Sequence, residues 1–215
     1  MVEENINNNK PCNITFSSQN VRSLNISTKN DITWEKIISI TKSKADIVFL
    51  SDMRLNSDKQ KTGVHDIEKR FFLEGYKLYH NSKGPSRGVG ILVHKNLRDD
   101  TFKIFNQRTD LLGNYLLLDL EIRNQRYTIG AIYGPNHDEQ INMFDSLKNE
   151  CLGLNNRQII LGGDFNATWD SSRVNSNIDV VNIVDIPSRI RTNKIHEIAE
   201  QLDLTEPYRF MHPLK

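Results

Sequence analysis

The chain has 215 residues, of which 37% are hydrophobic and 26% charged, with a formal net charge of +1. This composition predicts one globular domain, and a charge so close to zero neither indicates nor excludes a nucleic-acid partner. The sequence has no apolar run of about 18 residues and no basic leader followed by an apolar stretch, which argues against a membrane span or a secretory signal. Its two cysteines, Cys12 and Cys151, lack partners at zinc-ligand spacing, so we expect reduced thiols in an intracellular protein.

In the first half of the chain, strands and helices follow a polar lead-in. Residues 1–11 are rich in asparagine and lack periodicity, which predicts a disordered segment ahead of one domain over residues 12–215. Alternating apolar and polar residues predict strands, and apolar residues three or four apart predict helices. The predicted elements are a strand ending near Gln19 and Asn20, a helix from Asp31, a strand over 46–50, a helix over 66–73, and strands over 76–80, 88–94 and 101–106.

The second half is dominated by a hairpin. Apolar residues alternate over 116–122 and again over 127–133, and Asn124 with Gln125 is typical of the turn between two such strands. The remaining predicted elements are a helix over 138–151, an apolar strand over 158–161 and a helix over 188–202. Hairpins outnumber regular strand–helix–strand units, which predicts an α/β or α+β sandwich.

Polar side chains gather at the ends of the predicted strands. They are short carboxylates, amides and one phenol, namely Asn20, Asp52, Tyr133, Asn136, Asp164 and Asn166. Ligands of mixed sheets bind at strand ends and in the loops that follow, so these residues are candidates for one site. Hard oxygen donors of this kind favour Mg²⁺ or Mn²⁺ over zinc or copper. Each residue alone is equally typical of a turn or a helix cap, and only their conjunction indicates a site.

Five short motifs, taken in chain order, carry a resemblance to a known family. They are Gln19-Asn20-Val21-Arg22, Ser51-Asp52-Met53-Arg54, Gly88-Val89-Gly90-Ile91, Tyr133-Gly134-Pro135-Asn136 and Gly163-Asp164-Phe165-Asn166. Together they resemble the apurinic-endonuclease-like domain of non-LTR retrotransposons, in the endonuclease/exonuclease/phosphatase superfamily. The resemblance extends to the stretch 177–189 and to Thr205–Arg209, which is similar to the family's Asp-x-Trp-Arg segment.

The family resemblance implies a fold, an activity and a set of partners. The fold is a four-layered αββα sandwich, and the activity is hydrolysis of a DNA phosphodiester that leaves a 3′-hydroxyl to prime reverse transcription. We therefore expect DNA as the partner and a reverse transcriptase encoded in the same reading frame. We also expect a monomer without membrane association, acting in the nucleus.

The resemblance also assigns roles to the candidate residues. It implies that Asn20 and Asp52 hold a Mg²⁺ ion, with Mn²⁺ as a substitute, and that the ion polarises the scissile phosphate. It implies that Asp164, helped by Asn166, orients the attacking water. Tyr133 would stabilise charge that develops on the phosphate in the transition state.

Further groups are candidates for contact with the phosphate or the DNA. The resemblance implies that Asn136 holds Tyr133 or the phosphate. Two basic groups would hold phosphates and make binding salt-dependent, although each is equally typical of a solvated surface. They are Lys83, Arg87, Lys95 and Arg98 around the predicted Gly-rich strand, and Arg189, Arg191 and Lys194 near the last predicted helix.

The sequence departs from the family pattern at two places. The family's metal carboxylate is normally Glu, whereas Asp52 is shorter by one C–C bond of about 1.5 Å, so we expect reduced metal affinity. The family ends with a Ser-Asp-His segment, and none of the six histidines here follows a Ser-Asp pair. We therefore expect a domain truncated at its C-terminus and impaired in catalysis, because general-base catalysis supplies about 10²- to 10⁴-fold.

Two other functions stay open on the sequence alone. An abasic-site repair nuclease, or another phosphoesterase of the superfamily, would keep the fold and change the substrate. Arg22 weighs against repair, because repair enzymes of this group usually carry Asp at that place. A catalytically inactive remnant that at most binds DNA would account for the lack of a Ser-Asp-His segment.

Overall fold

The structure, a computed structural model, describes residues 13–24, 32–55, 61–97, 102–153, 158–169 and 189–211. The predicted lead-in over residues 1–11 and the stretch 177–188 of the family resemblance lie outside these ranges, as do Cys12 and Arg98. Among the helices that the structure describes, none is both long enough and apolar enough to cross a membrane.

Within these ranges the chain forms eight strands and five α-helices. The strands are β1 (Phe16–Asn20), β2 (Ile47–Ser51), β3 (Tyr76–Asn81), β4 (Val89–His94), β5 (Phe102–Thr109), β6 (Tyr115–Ile122), β7 (Gln125–Tyr133) and β8 (Gln158–Asp164). The helices are α1 (Ile32–Thr41), α2 (Lys61–Leu73), α3 (Asn142–Leu152), α4 (Arg189–Gln201) and α5 (Pro207–Met211). Every predicted element is present, but α2 begins earlier than predicted, α3 follows a separate 3-10 turn over 138–140, and α5 was not predicted.

The strands form two four-stranded sheets. The first has the order β1-β2-β4-β3, in which β1 and β2 are parallel and the other pairs antiparallel. The second has the order β5-β6-β7-β8, in which only β7 and β8 are parallel. Each sheet therefore has one parallel pair whose C-terminal ends lie side by side. These two pairs carry the predicted site residues.

Three apolar clusters place the two sheets between two layers of helices. Phe71 of α2 shares a cluster with Leu50 of β2 on the outer face of the first sheet. Phe49, the neighbour of Leu50 on β2, points the other way and clusters with Leu118 of β6 between the sheets. Phe144 of α3 clusters with β6 and β7 on the outer face of the second sheet. The predicted four-layered αββα sandwich is therefore confirmed, and β2 is buried along its whole length because both of its faces are covered.

The β6–β7 hairpin turns one residue earlier than predicted. β6 ends at Ile122 and β7 begins at Gln125, so the turn consists of Arg123 and Asn124 and excludes Gln125. Both turn residues have positive φ, at +52° and +65°. A two-residue turn with positive φ at both positions matches the right-handed twist of the strands, which explains the shift by one residue.

A buried tyrosine ties β3 to the start of β2. The Tyr76 side chain is 1% exposed, and its hydroxyl donates to the carbonyl oxygen of Ala45 at 2.9 Å. Tyr76→Phe leaves that carbonyl without its donor, and we expect the free energy of unfolding to fall by about 1–2 kcal/mol. Urea denaturation measures the change. Tyr79→Phe, on the same strand and only half-buried, is the control, and an equal loss in both variants would contradict the prediction.

Candidate active site

The C-terminal ends of β1, β2, β7 and β8 meet at one edge of the sandwich. Asn20 is the register partner of Ser51, which places Asp52 directly beyond the adjacent strand end. In the second sheet, Tyr133 is the register partner of Asp164. The side-chain Nδ2 of Asn20 donates to Oδ2 of Asp164 at 2.7 Å, and this bond joins the two sheets. The edge thus brings together predicted residues from distant parts of the sequence.

Two glycines allow the loops after β7 and β8 to lie in contact. Gly163 has φ +142°, and a Cβ there would lie 2.0 Å from the carbonyl oxygen of Ile132. A Cβ at Gly134 would lie 2.0 Å from the carbonyl oxygen of Phe165. Any side chain at either position would push the two loops apart. The glycines in these two sequence motifs are therefore also required for steric reasons.

Both carboxylate oxygens of Asp164 accept hydrogen bonds. Oδ2 takes the bond from Asn20, and Oδ1 accepts from the backbone N–H of Asn166 at 3.0 Å. The Asn166 side chain donates from Nδ2 to the carbonyl oxygen of Gly134 at 2.7 Å. These bonds fix the orientation of a half-buried carboxylate. A carboxylate held in this way is suited to position a water molecule.

Tyr133 is fixed through its backbone beside Asp164. It is 7% exposed, and its N–H donates to the carbonyl oxygen of Asn114 at 2.7 Å. The next residue, Gly134, donates its N–H to the backbone carbonyl of Asp164 at 2.7 Å. The phenol therefore belongs to the same rigid edge as the carboxylate.

The structure adds Arg54, a residue that the sequence did not single out as part of the site. Its Nε and Nη2 donate to Oδ1 and Oδ2 of Asp52 at 2.7 and 2.8 Å, a two-pronged contact between guanidinium and carboxylate. The Asp52 side chain is 3% exposed and that of Arg54 44%. The hydrogen bond to Asp52 raises the pKa of Arg54, and Tyr133 adds a smaller effect in the same direction. Arg54 thus bonds Asp52 and lies close enough to Tyr133 for the phenol to affect its charge.

The turn after β2 explains how Arg54 returns to a carboxylate only two residues away. Asp52 and Arg54 have φ of +58° and +52°, a conformation that costs roughly 1–2 kcal/mol for each such residue. Backbone bonds on both sides hold the turn. Ser23 donates to the carbonyl of Asp52 at 2.8 Å, and Met53 and Arg54 donate to the carbonyls of Gly88 and Arg87 at 2.9 and 2.7 Å.

The donor set at this edge fits a hard divalent cation in kind. Asp52 supplies a buried carboxylate and Asn20 an amide oxygen, at the ends of adjacent parallel strands. The buried carboxylate requires a positive charge beside it, and the guanidinium of Arg54 supplies that charge. Among the residues that the structure describes, no three His, Cys, Asp or Glu side chains form a metal-binding group. A cation here would share Asp52 with Arg54 or displace it.

The predicted basic groups do not form continuous surfaces. Arg87 lies at the site end of β4 and donates from Nη1 to Oδ1 of Asn114 at 2.7 Å, and Lys83 is exposed nearby on the β3–β4 turn. Lys95 lies at the opposite end of β4, so the first group is divided. In the second group, Lys194 is engaged by Asp145 at 2.7 Å. Lys95 is thus separated from Arg87 along β4, and Lys194 is paired with an acid, so contact of these two groups with DNA stays a prediction.

Arg191 connects the two loops of the site to α4. Its Nη1 donates to the carbonyl oxygens of Asn166 at 2.6 Å and Pro135 at 3.2 Å, and its Nε pairs with Asp138 at 3.2 Å. With Asn136, which is exposed, it also lines a cavity of about 560 Å³ beside the site. Arg191, predicted as a DNA contact, is thus used to hold the loops after β7 and β8 together.

Comparisons with known proteins agree with this architecture. The profile described as the Endonuclease/Exonuclease/phosphatase family matches residues 19–180. No curated protein sequence matches the chain. The fold is similar to that of an AP endonuclease from Archaeoglobus fulgidus, with a TM-score of 0.65 and 14% identity over 94% of this chain and 76% of that chain.

Two further solved structures share the fold. One is the endonuclease domain of TRAS1, a telomere-specific non-LTR retrotransposon, with a TM-score of 0.54 and 17% identity over 86% of this chain and 70% of that chain. The other is TDP2 of D. rerio complexed with a single-strand DNA product, with a TM-score of 0.51 and 18% identity over 75% of this chain and 64% of that chain. At such identities the likeness establishes the fold.

Proposed function

This chain belongs to the endonuclease/exonuclease/phosphatase family, and on that premise we propose that it is a divalent-metal-dependent DNA endonuclease. Its role would be to nick target DNA so that the 3′-hydroxyl primes reverse transcription of a non-LTR retrotransposon. The observation that carries the proposal is the 2.7 Å bond from Asn20 to Asp164, which joins the ends of the two sheets beside Tyr133. A phosphodiester placed at this edge would meet a carboxylate, a phenol and a guanidinium together.

In the proposed reaction, the protein's own groups position the water and the phosphate. Asp164, held by Asn20 and Asn166, accepts a hydrogen bond from the attacking water and takes its proton as the water adds to phosphorus. The P–O3′ bond breaks and the leaving oxygen takes a proton from solvent water, which leaves a 3′-hydroxyl on one side of the nick and a 5′-phosphate on the other. Tyr133 donates to a non-bridging oxygen of the phosphate and stabilises the charge that develops there.

A divalent cation would lie against Asp52 and the amide oxygen of Asn20. When bound, it supplies charge neutralisation for the scissile phosphate and its leaving oxygen. Arg54 and Asp52 already form a neutral pair at this place, so the protein holds the carboxylate in position before any cation arrives. The side chain of Arg54 is 44% exposed and therefore able to turn from Asp52 to a phosphate oxygen.

The retrotransposon role rests on the order of the five motifs and on the likeness to the TRAS1 endonuclease domain. The likeness to an AP endonuclease supports abasic DNA as the alternative substrate within the same chemistry. The retrotransposon role implies action on DNA in the nucleus. A reverse transcriptase from the same reading frame and a monomeric state remain part of the proposal.

A plasmid assay tests the proposal. Supercoiled plasmid is incubated with the full chain in Mg²⁺ and, in parallel, in EDTA. We expect conversion to the open circle only with Mg²⁺, and we expect the nick to be extended by a DNA polymerase because it carries a 3′-hydroxyl. A duplex with one abasic-site analogue forms the second arm, and cleavage confined to that site would replace the retrotransposon role with repair. Absence of cleavage in both arms would refute the nuclease proposal.

A further inference from the structure

The turn between β5 and β6 exposes two adjacent leucines. Leu111 is 82% exposed and Leu112 58%. Turns usually carry polar residues, because their backbone and side chains face water. Two exposed aliphatic side chains in succession at a hairpin tip indicate a contact surface, provided that the tip is rigid and well placed.

Asp110 makes this turn rigid. Its Oδ1 accepts from the backbone N–H groups of Asn114 and Tyr115 at 2.7 and 3.1 Å, and its Oδ2 accepts from the N–H of Leu112 at 3.1 Å. The side chain of Asn81, which is 3% exposed, donates to both Oδ1 and the carbonyl of Asp110 at 2.9 and 3.1 Å. The leucines therefore project from a turn that is fixed by one carboxylate.

The same turn is attached to the candidate active site. Asn114 accepts the backbone N–H of Tyr133 at 2.7 Å, and its side chain accepts from Arg87 at 2.7 Å. Gly113 packs closely against Gly88, since a Cβ at Gly113 would lie 3.5 Å from the backbone nitrogen of Gly88. The carbonyl oxygen of Gly88 in turn accepts from the N–H of Met53, the residue after Asp52. The leucines thus lie at the border of the site that would hold the phosphodiester.

We propose that Leu111 and Leu112 form an apolar wedge that inserts between base pairs next to the scissile phosphate. The inference rests on the proposed function, since it requires DNA at this edge. Aliphatic side chains inserted from a protein unstack a base step and kink the duplex. The wedge would open the duplex next to the phosphodiester bond that is cleaved with the help of Asp164 and Tyr133. It would favour base steps that unstack easily, such as TA.

Charge and size favour DNA over a protein as the occupant of this tip. The tip contacts the base of the β3–β4 turn, which carries the exposed Lys83 as well as Arg87, whose guanidinium bonds Asn114 and Gln140. Lys83 is suited to a phosphate that flanks a base step. Two leucine side chains cover far less than the roughly 800 Å² per partner of a stable protein interface.

A fluorescent duplex tests the wedge separately from cleavage. The duplex consists of repeated TA steps with 2-aminopurine in place of one adenine, and it is titrated with the full chain in EDTA, so that binding is followed without hydrolysis. We expect fluorescence to rise on binding because the base is unstacked. Leu111→Ser/Leu112→Ser should abolish that rise and weaken binding by roughly three- to tenfold, since the apolar burial gained is partly offset by unstacking.

Phe72→Ser/Leu73→Ser is the matched control. These residues are 64% and 67% exposed and end α2, at the opposite end of the first sheet from Asp52. The control should bind and unstack DNA as the unmodified chain does. An unchanged fluorescence rise in the Leu111/Leu112 variant would overturn the wedge while leaving the nuclease proposal intact. Altered self-association with unchanged DNA binding would assign the leucines to a protein contact, and no binding by the unmodified chain would overturn both proposals.

Discussion

Replacing Asp164 by asparagine is expected to lower the rate of Mg²⁺-dependent plasmid nicking by about 10³-fold, within the range that general-base catalysis supplies. The substituted amide keeps the size of the carboxylate but accepts the proton of water poorly. Its NH₂ group also faces a donor in either orientation of the amide, since Nδ2 of Asn20 bonds one carboxylate oxygen at 2.7 Å and the N–H of Asn166 bonds the other at 3.0 Å. The rate constant for loss of supercoiled plasmid measures the effect.

The loss must be separated from a loss of folded protein. Asp164→Asn should cost about 1 kcal/mol of unfolding free energy, because one hydrogen bond is disturbed. Glu200→Gln is the matched control, since it removes the same charge from an exposed position on α4. Nicking at an undiminished rate by a folded Asp164→Asn variant would remove Asp164 from the site.

The sequence predicted the positions of the candidate residues well where local rules decide the structure. Asn20 and Asp164 end β1 and β8, and Asp52 directly follows β2, so the alternating or apolar pattern of each strand places all three at strand ends. The parallel pairing that brings those ends together cannot be derived from local patterns. It came from the family resemblance, and the profile match supports the family at the level of the whole domain.

The residues that the sequence missed act through contacts between distant segments. The sequence predicts Arg191 as a contact to DNA phosphates, because no local pattern shows that it bonds the carbonyls of Pro135 and Asn166. Arg54 lies within one of the sequence motifs, but the motif does not predict its contact with Asp52, because that contact depends on left-handed backbone at both residues. Such conformations are uncommon outside glycine, so the strand pattern before Asp52 gives no sign of them.

One consequence of the Arg54 contact is that two substitutions should change cation affinity in opposite directions. Asp52→Asn removes the buried carboxylate, and we expect Mn²⁺ affinity to fall at least about tenfold. Arg54→Gln removes the guanidinium that bonds both oxygens of that carboxylate, so affinity should rise. The rise is limited to roughly two- to fivefold, because the arginine side chain is 44% exposed and such pairs are weak in water.

Cation affinity is measured by titrating the chain with Mn²⁺ in the absence of DNA and recording the electron paramagnetic resonance signal of the free ion. This titration reports on binding whether or not the chain cleaves DNA. Arg87→Gln is the control that separates competition for Asp52 from a general change of charge. It removes one positive charge from the neighbouring β3–β4 turn, and the Arg87 side chain bonds Asn114 and not Asp52. If direct competition decides the affinity, Arg54→Gln binds Mn²⁺ more tightly than Arg87→Gln. Equal effects of the two would mean that only the net charge of the edge matters, and weaker binding by Arg54→Gln would mean that Arg54 orients Asp52 for the cation. Asp52→Glu introduces the longer carboxylate that the family normally carries. Because Arg54 would also compete for this longer carboxylate, Asp52→Glu should raise Mn²⁺ affinity further only when Arg54 is replaced as well.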